Sequence, residues 1–187
     1  LTEIKDRKEK GSIPNIVIPS ESPNINKLVE IINNSKKPAV IIGNDVKTDD
    51  AIQESIKFAE KCGGGVLATM KARGVFPENH RRWVGVTTGF GSRNTKQGDL
   101  MLNSDLIILI GVDQMMTHTP WPRNTVRTVE IVSNPNFKTM SADPIVTFSG
   151  NLKSTLGELI DKVENPGWSV QELTALIKNL ESRFKRP

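Results

Sequence analysis

Two stretches of the chain are apolar without interruption. Ala39-Val40-Ile41-Ile42 stops at Gly43, and Leu106-Ile107-Ile108-Leu109-Ile110 stops at Gly111. Runs this short and this apolar suit strands covered on both faces, as in a parallel sheet. They predict strands over 39–43 and 105–110. A helix is expected from about Thr48 to Cys62, with Thr48 as its N-cap and Asp49 and Asp50 in its first turn. The first strand's carboxyl end therefore meets a helix amino end, the junction at which open α/β sheets bind ligands.

The remaining pattern alternates in the same way. Ile25, Leu28, Val29 and Ile32 form one stripe of a helix over about 25–36, which Pro38 ends. Gly63-Gly64-Gly65 closes the Thr48–Cys62 helix, and Val66 to Thr69 is a short strand. Met70 to Gly98 reads as irregular, with a helix near 95–102. Residues 115–122 read as a loop. Arg127 to Val132 alternates polar and apolar, which predicts a strand with one wetter face. Ile145 to Phe148 is the last strand, ending at Gly150. Asn151 is placed to cap a helix carrying Leu152, Leu156, Leu159, Ile160 and Val163, and Pro166-Gly167 breaks it. Ser169 and Glu172 have the spacing of a capping box and open a final helix with Leu173, Leu176, Ile177 and Leu180 on one stripe.

About five or six strands alternating with helices argue an α/β class with a mostly parallel sheet, helices lying on both faces. Residues 1–12 are highly charged and aperiodic, and 13–19 form an extended piece bracketed by prolines. The expected division is a linker over 1–22, a central α/β domain over 23–165 and a C-terminal linker helix over 166–187.

Composition narrows the class. A chain of 187 residues suffices for one domain with a real core. A net charge of +4, spread along the chain, permits anionic ligands but is no nucleic-acid footprint. The single cysteine, Cys62, excludes a disulfide framework and fits a reducing cytoplasm. No apolar run is long enough to span a bilayer, and the first residues lack a signal peptide's apolar segment. No nucleic-acid or membrane partner is expected. The absence of an initiating Met reads as a piece of a longer chain.

The residues exclude several chemistries. Two histidines and one cysteine, far apart, give no metal-ligand spacing. No Gly-x-Ser-x-Gly elbow is present, and Cys62 sits late in a helix, where a buried apolar role fits better than a nucleophile's. Neither the Gly-x-Gly-x-x-Gly fingerprint nor the P-loop signature occurs. Gly43, Gly111 and Gly150 do end strands beside helix amino ends, where backbone amides can hold a phosphate; such glycines also serve simply to turn the chain. Lys71, Arg73, His80, Arg81 and Arg82 form a basic knot that suits phosphate or, more commonly, a solvated face or domain contact. Trp83, Trp121 and Trp168 lack stacking spacing and read as packing residues.

Some motifs carry a resemblance. Pro38-Ala39-Val40-Ile41-Ile42-Gly43 is followed by Ala51, Ala59-Glu60 and Thr69. Phe76-Pro77-Glu78-Asn79-His80, Gly85, Gly89 to Gly91 and Ser104-Asp105-Leu106-Ile107-Ile108-Leu109-Ile110-Gly111 come next. In this order they resemble the central domain of thiamine diphosphate-dependent enzymes of the acetolactate synthase and pyruvate oxidase type, over about 13–165. The resemblance implies a Rossmann-like sheet of six parallel strands. It also implies a parent lyase or transferase acting on 2-oxo acids, with thiamine as electron sink. The family places its catalytic glutamate and its Gly-Asp-Gly metal-diphosphate motif in flanking pyrimidine- and diphosphate-binding domains. Gly98-Asp99 here is followed by Leu100. Thiamine diphosphate and magnesium are thus expected in the parent, which is expected to be a homo-oligomer. No cofactor, metal site or catalytic residue is expected in this chain.

Some members of the family hold FAD or ADP in this domain and others hold nothing. The resemblance puts such a pocket at Gly43, Asn44, Asp45, Thr69, Met70, Gly91, Gly111, Asp113, Ser133, Gly150 and Asn151. This sequence departs from the FAD-binding type at Asn44-Asp45, Val112-Asp113-Gln114, Ser133 and Asn151, and Gly89-Phe90-Gly91 replaces Met-His-Gly. An empty or altered pocket is the expectation. The competing readings are a free-standing nucleotide-binding module, related in form to the sirtuins but without their zinc cysteines, and a weak nucleic-acid binder resting only on the mild charge.

Overall fold

The computed structural model describes residues 24–87, 96–113, 126–134 and 144–184. Its centre is the pair of uninterrupted apolar runs. They form β1 (Pro38–Ile42) and β4 (Leu106–Ile110), every residue of both buried. The two strands pair in parallel, Val40 opposite Ile108. On one side β1 pairs with β2 (Gly65–Thr69), and β2 with β3 (Trp83–Thr87). On the other side β4 pairs with β5 (Arg127–Val132), and β5 with β6 (Val146–Ser149). The result is a parallel six-stranded sheet in the order β3-β2-β1-β4-β5-β6. The α/β class, the parallel sheet and the helical cover of both faces are as the pattern predicts.

One face carries α1 (Ile25–Asn33), α2 (Asp45–Thr48), α3 (Ile52–Lys61) and α5 (Leu152–Lys162). Leu28, Ile32, Phe58, Leu152, Leu156 and Leu159 are fully buried there against Val40, Ile42, Ile108 and Ile110. The opposite face carries α4 (Lys96–Asn103) and α6 (Val170–Phe184). Leu100, Met101, Trp168 and Leu173 pack there against Ala39, Ile41, Ile107 and Leu109. Alternate residues of one strand thus feed two cores, which is why the central strands read as continuous apolar runs.

Four expectations change. The helix placed over about 48–62 starts later, as α3 at Ile52, and the separate short α2 precedes it. Asp50 between them takes a left-handed backbone (φ 52°), so α2 stops at Thr48 and α3 is entered from Ala51, and Thr48 caps nothing. The helix expected to reach residue 36 ends at Asn33. The stretch from Met70 to Gly98, read as irregular, contains β3, whose pattern Trp-Val-Gly-Val-Thr sits among turn residues and glycines that hide it. And β5 has no wet face: from Thr128 to Val132 every residue is buried, Glu130 included at 1% exposure, because β5 is an interior strand. Glu130 accepts a hydrogen bond from the Thr147 hydroxyl on β6, 3.3 Å away.

The local stops work as the sequence implies. Gly63 takes φ 63° just after α3, a conformation favouring glycine. Asn151 accepts a hydrogen bond from the Ser154 N–H at 3.1 Å. Ser169 and Glu172 cap reciprocally, the Glu172 N–H donating to Ser169 Oγ at 3.1 Å and the Ser169 N–H to Glu172 Oε2 at 3.0 Å. The segment between α5 and α6 is held to the domain by Asn165, whose Nδ2 donates to the Ile32 and Ser35 carbonyls, and by Trp168, whose indole N–H donates to the Pro38 carbonyl at 3.0 Å. Trp83 stacks on Phe76, ring centroids 6.1 Å apart, so both described tryptophans pack.

Candidate functional site: the crevice between β1 and β4

Strand order reverses between β1 and β4. Chain leaving β1 goes one way along the sheet and chain leaving β4 the other, which opens a crevice at their carboxyl ends. The structure brings most of the anticipated site residues to this rim. Gly43, Asn44 and Asp45 follow β1, Gly111 and Asp113 follow β4, and Ser133 follows β5. Thr69 ends β2, and Gly150 and Asn151 join β6 to α5. Met70 points away from the core at 53% exposure. Gly91 lies outside the described residues.

The rim is tight. The Gly43 N–H donates to the Ile110 carbonyl at 2.8 Å, and the Asp45 N–H donates to the Gly111 carbonyl at 3.2 Å. Asp45 is the first residue of α2, so a donor at that helix's amino end is already engaged by the chain itself. Gly111 takes φ 55°, and a Cβ on it would stand 2.9 Å from the Asp45 Cβ and 2.8 Å from Leu152 Cδ1. Only glycine passes there.

Charge at the rim is negative and internally engaged. Asp45 is pushed above the ordinary carboxylate range by its burial and then by the Asp49 and Asp113 carboxylates, against a hydrogen bond from Ser133. Lys71, just beyond β2, pairs with Asp113 just beyond β4. The Lys47 ammonium donates to the Lys71 carbonyl at 2.9 Å. Asp49 accepts from the Leu152 N–H at 2.8 Å, at the amino end of α5. Lys153 pairs with Asp50 at 2.6 Å. Thr69 Oγ1 is buried with no hydrogen-bond partner among the described residues.

The basic knot does not converge on this rim. Arg73 reaches Glu78, and His80 reaches Glu60 at 3.0 Å. Arg82 is buried and donates to the Trp168 carbonyl at 3.2 Å, fastening β3's approach to the start of α6. Lys71 alone of the knot is seen to act at the crevice. Asp49 was legible only as a first-turn acid. Its partner is 103 residues away, and no local signal connects them. Cys62 is fully buried, and burial pushes its thiol up to about 12, as a packing cysteine should be.

The backbones of Gly43 and Gly111 touch, the Asp45 and Leu152 N–H groups are engaged by the chain's own acceptors, and three carboxylates line the opening. No group of three or more His, Cys, Asp or Glu side chains is arranged for a metal ion among the described residues. Gly98-Asp99-Leu100 lies within α4, with Leu100 fully buried, rather than at a strand end.

Residues 25–159 match the family described as thiamine pyrophosphate enzyme, central domain. The chain belongs to that family. Among its relatives, the acetolactate synthase of Mycobacterium avium is 29% identical over 168 residues, which is 82% of this chain and 26% of the relative. The acetolactate synthase large subunit of Corynebacterium glutamicum is 38% identical over 87 residues, 46% of this chain and 14% of the relative. In three dimensions the chain is similar to the benzoylformate decarboxylase of Polynucleobacter necessarius, with a TM-score of 0.62 and 28% identity over 75% of this chain and 27% of that one. The chain thus spans about a quarter or less of these relatives' length. As a thiamine pyrophosphate enzyme central domain, it has the six-stranded parallel sheet that the resemblance implies. No helix among the described residues is long and apolar enough to cross a membrane.

Proposed function

We propose that this chain is the scaffold domain of an acetolactate synthase-like enzyme that forms or cleaves the bond next to a 2-oxo acid carbonyl. In this reading, thiamine diphosphate and magnesium are held by flanking pyrimidine- and diphosphate-binding domains, and the parent is a cytoplasmic homo-oligomer. The central domain performs no chemistry itself. It supplies a rigid body for subunit contacts, and its pocket for FAD or ADP is vestigial. The observation that carries this reading is the rim at the strand-order reversal, where the Gly43 and Gly111 backbones touch and the Asp45, Asp49 and Asp113 carboxylates gather, in a domain whose relatives extend far beyond it. Central strands buried on two apolar faces suit a load-carrying body better than a site that must open.

The test is calorimetry with thiamine diphosphate and magnesium. The 187-residue chain alone should give no saturable heat. The same chain joined to flanking domains that carry the glutamate and the Gly-Asp-Gly motif should bind the cofactor and consume pyruvate. A micromolar site on the isolated chain would sink the proposal, as would a joined protein that binds cofactor but leaves every 2-oxo acid untouched.

A further inference from the structure

The chain between α5 and α6 carries Pro166-Gly167, a helix breaker, yet it is fastened to the domain along its length. The Glu164 N–H donates to Asn33 Oδ1 at 3.0 Å, the Asn165 N–H to the Lys61 carbonyl at 3.3 Å, and the Trp168 N–H to the Gly63 carbonyl at 2.9 Å. The Asn165 amide donates to the Ile32 and Ser35 carbonyls, and its Oδ1 accepts from the Gly167 N–H at 2.8 Å. A Cβ on Gly167 would stand 2.4 Å from the Gly63 carbonyl oxygen, so the two backbones touch. Val163, Asn165 and Trp168 are buried. A connector that merely crosses a surface leaves its polar groups to water. This one gives them to the ends of α1 and α3.

Trp168 is the centre of the fastening. Its indole N–H donates to the Pro38 carbonyl at 3.0 Å, and its own carbonyl accepts from Arg82 Nη1 at 3.2 Å. The Lys37 ammonium stands 4.7 Å from the ring centroid, a cation–π contact. Lys37 also pairs at 3.2 Å with Glu172, the residue that caps α6 together with Ser169. Beyond its first turn α6 is held far less. Leu173 is fully buried, but from Thr174 to Asn179 only Leu176 and Ile177 are even half-buried. The helix is anchored at its root more than along its side.

We propose that residues 163–172 form a rigid root, with Trp168 as its positioning residue, that sets the direction in which α6 leaves the domain. α6 is then a lever and not a flexible linker, and chain joined to its far end takes its orientation from the central sheet. The root rests on the scaffold reading only for what α6 carries in the parent enzyme. Its rigidity can fail while that reading stands, and calorimetry that sank the scaffold reading would leave the root untouched.

The experiment uses the full 187-residue chain with spin labels on two introduced cysteines, Gln53→Cys on α3 and Lys178→Cys on α6, both at exposed positions. Cys62 is fully buried and stays unlabelled. Pulsed electron double resonance reads the distance between the labels, and amide hydrogen exchange in β1 and β4 reads the state of the core. With Trp168 in place the distance distribution should be single and narrow. Trp168→Ala removes the ring and the indole N–H, and should broaden the distribution at least about twofold while β1 and β4 keep their protection, the sign of local release. Trp168→Phe keeps a ring under Lys37 without the N–H, and should lie between the two. A broad distribution with Trp168 in place would overturn the rigid root. An unchanged width in both variants would do the same, since α6 would then be held along its side. Broadening accompanied by lost protection in β1 and β4 would make Trp168 a stability residue of the whole domain and overturn its positioning role. If Trp168→Ala does not fold, Trp168→Phe alone decides by the same readouts.

Discussion

Gly43 and Gly111 meet backbone to backbone: a Cβ placed on Gly43 would stand 1.9 Å from the Gly111 carbonyl oxygen and 2.3 Å from the Val112 Cα. The two glycines follow the two central strands, 68 residues apart in sequence, and carry the β1–β4 contact one step past the strand ends. Neither obstacle is a flexible side chain, so no rotamer change relieves it.

Gly43→Ala is therefore expected to lose on the order of 1–3 kcal/mol or more of stability, the usual cost of overpacking where backbone must shift. Urea denaturation followed by circular dichroism measures it. A variant as stable as wild type would mean that the ends of β1 and β4 stand further apart than described.

Ile108 is fully buried at the centre of β4, between Val40 of β1 and Val129 of β5. Ile108→Ala should cost about 2–5 kcal/mol, the lost transfer free energy plus the cavity left in a close-packed core. A loss below about half a kcal/mol in denaturant melts would contradict a residue paired on both sides.

Asp105 ties the loop before β1 to the start of β4. Its carboxylate accepts from Ser35 Oγ at 2.6 Å and from the Lys36 and Lys37 N–H groups at 2.7 and 2.9 Å. Partial burial opposes its charge, but the Ser35 hydroxyl and these backbone donors outweigh it and hold the carboxyl below its usual range. A depressed folded pKa gives stability that is present above the unfolded pKa of about 3.9 and lost as pH falls through the folded value. Wild type should thus exceed Asp105→Asn in stability at pH 6, with the gap closing as pH drops below about 4. Thermal melts of both proteins across that range check this, and a constant gap would refute it.

Cys62 is fully buried, and its thiol, pushed up to about 12, holds almost no thiolate at neutral pH. Labelling by a thiol-specific reagent should be slow in the folded protein and should rise with global unfolding in urea. Rapid labelling without denaturant would show that the α3 end opens locally.

The sequence by itself determined the parts whose causes are local. The runs at 39–42 and 106–110 suited doubly covered strands, because each is too short for a typical helix and ends at a glycine. Asn151, Gly63 and the Ser169–Glu172 pair announced helix ends because a cap is satisfied within a few residues. The ordered motifs from Pro38 to Gly111 carried the family. Only the tertiary structure decided the rest. β3 is a strand because β2 offers it a free edge, not because Trp83 to Thr87 alternates well. Glu130 is buried because β5 gained neighbours on both sides, which a polar residue in a six-residue pattern cannot foretell. The engagement of Asp49 depends on the Leu152 N–H, more than a hundred residues onward. A crevice is made where strand order reverses, and whether it is open or closed depends on pairings that the chain forms only once the sheet has assembled.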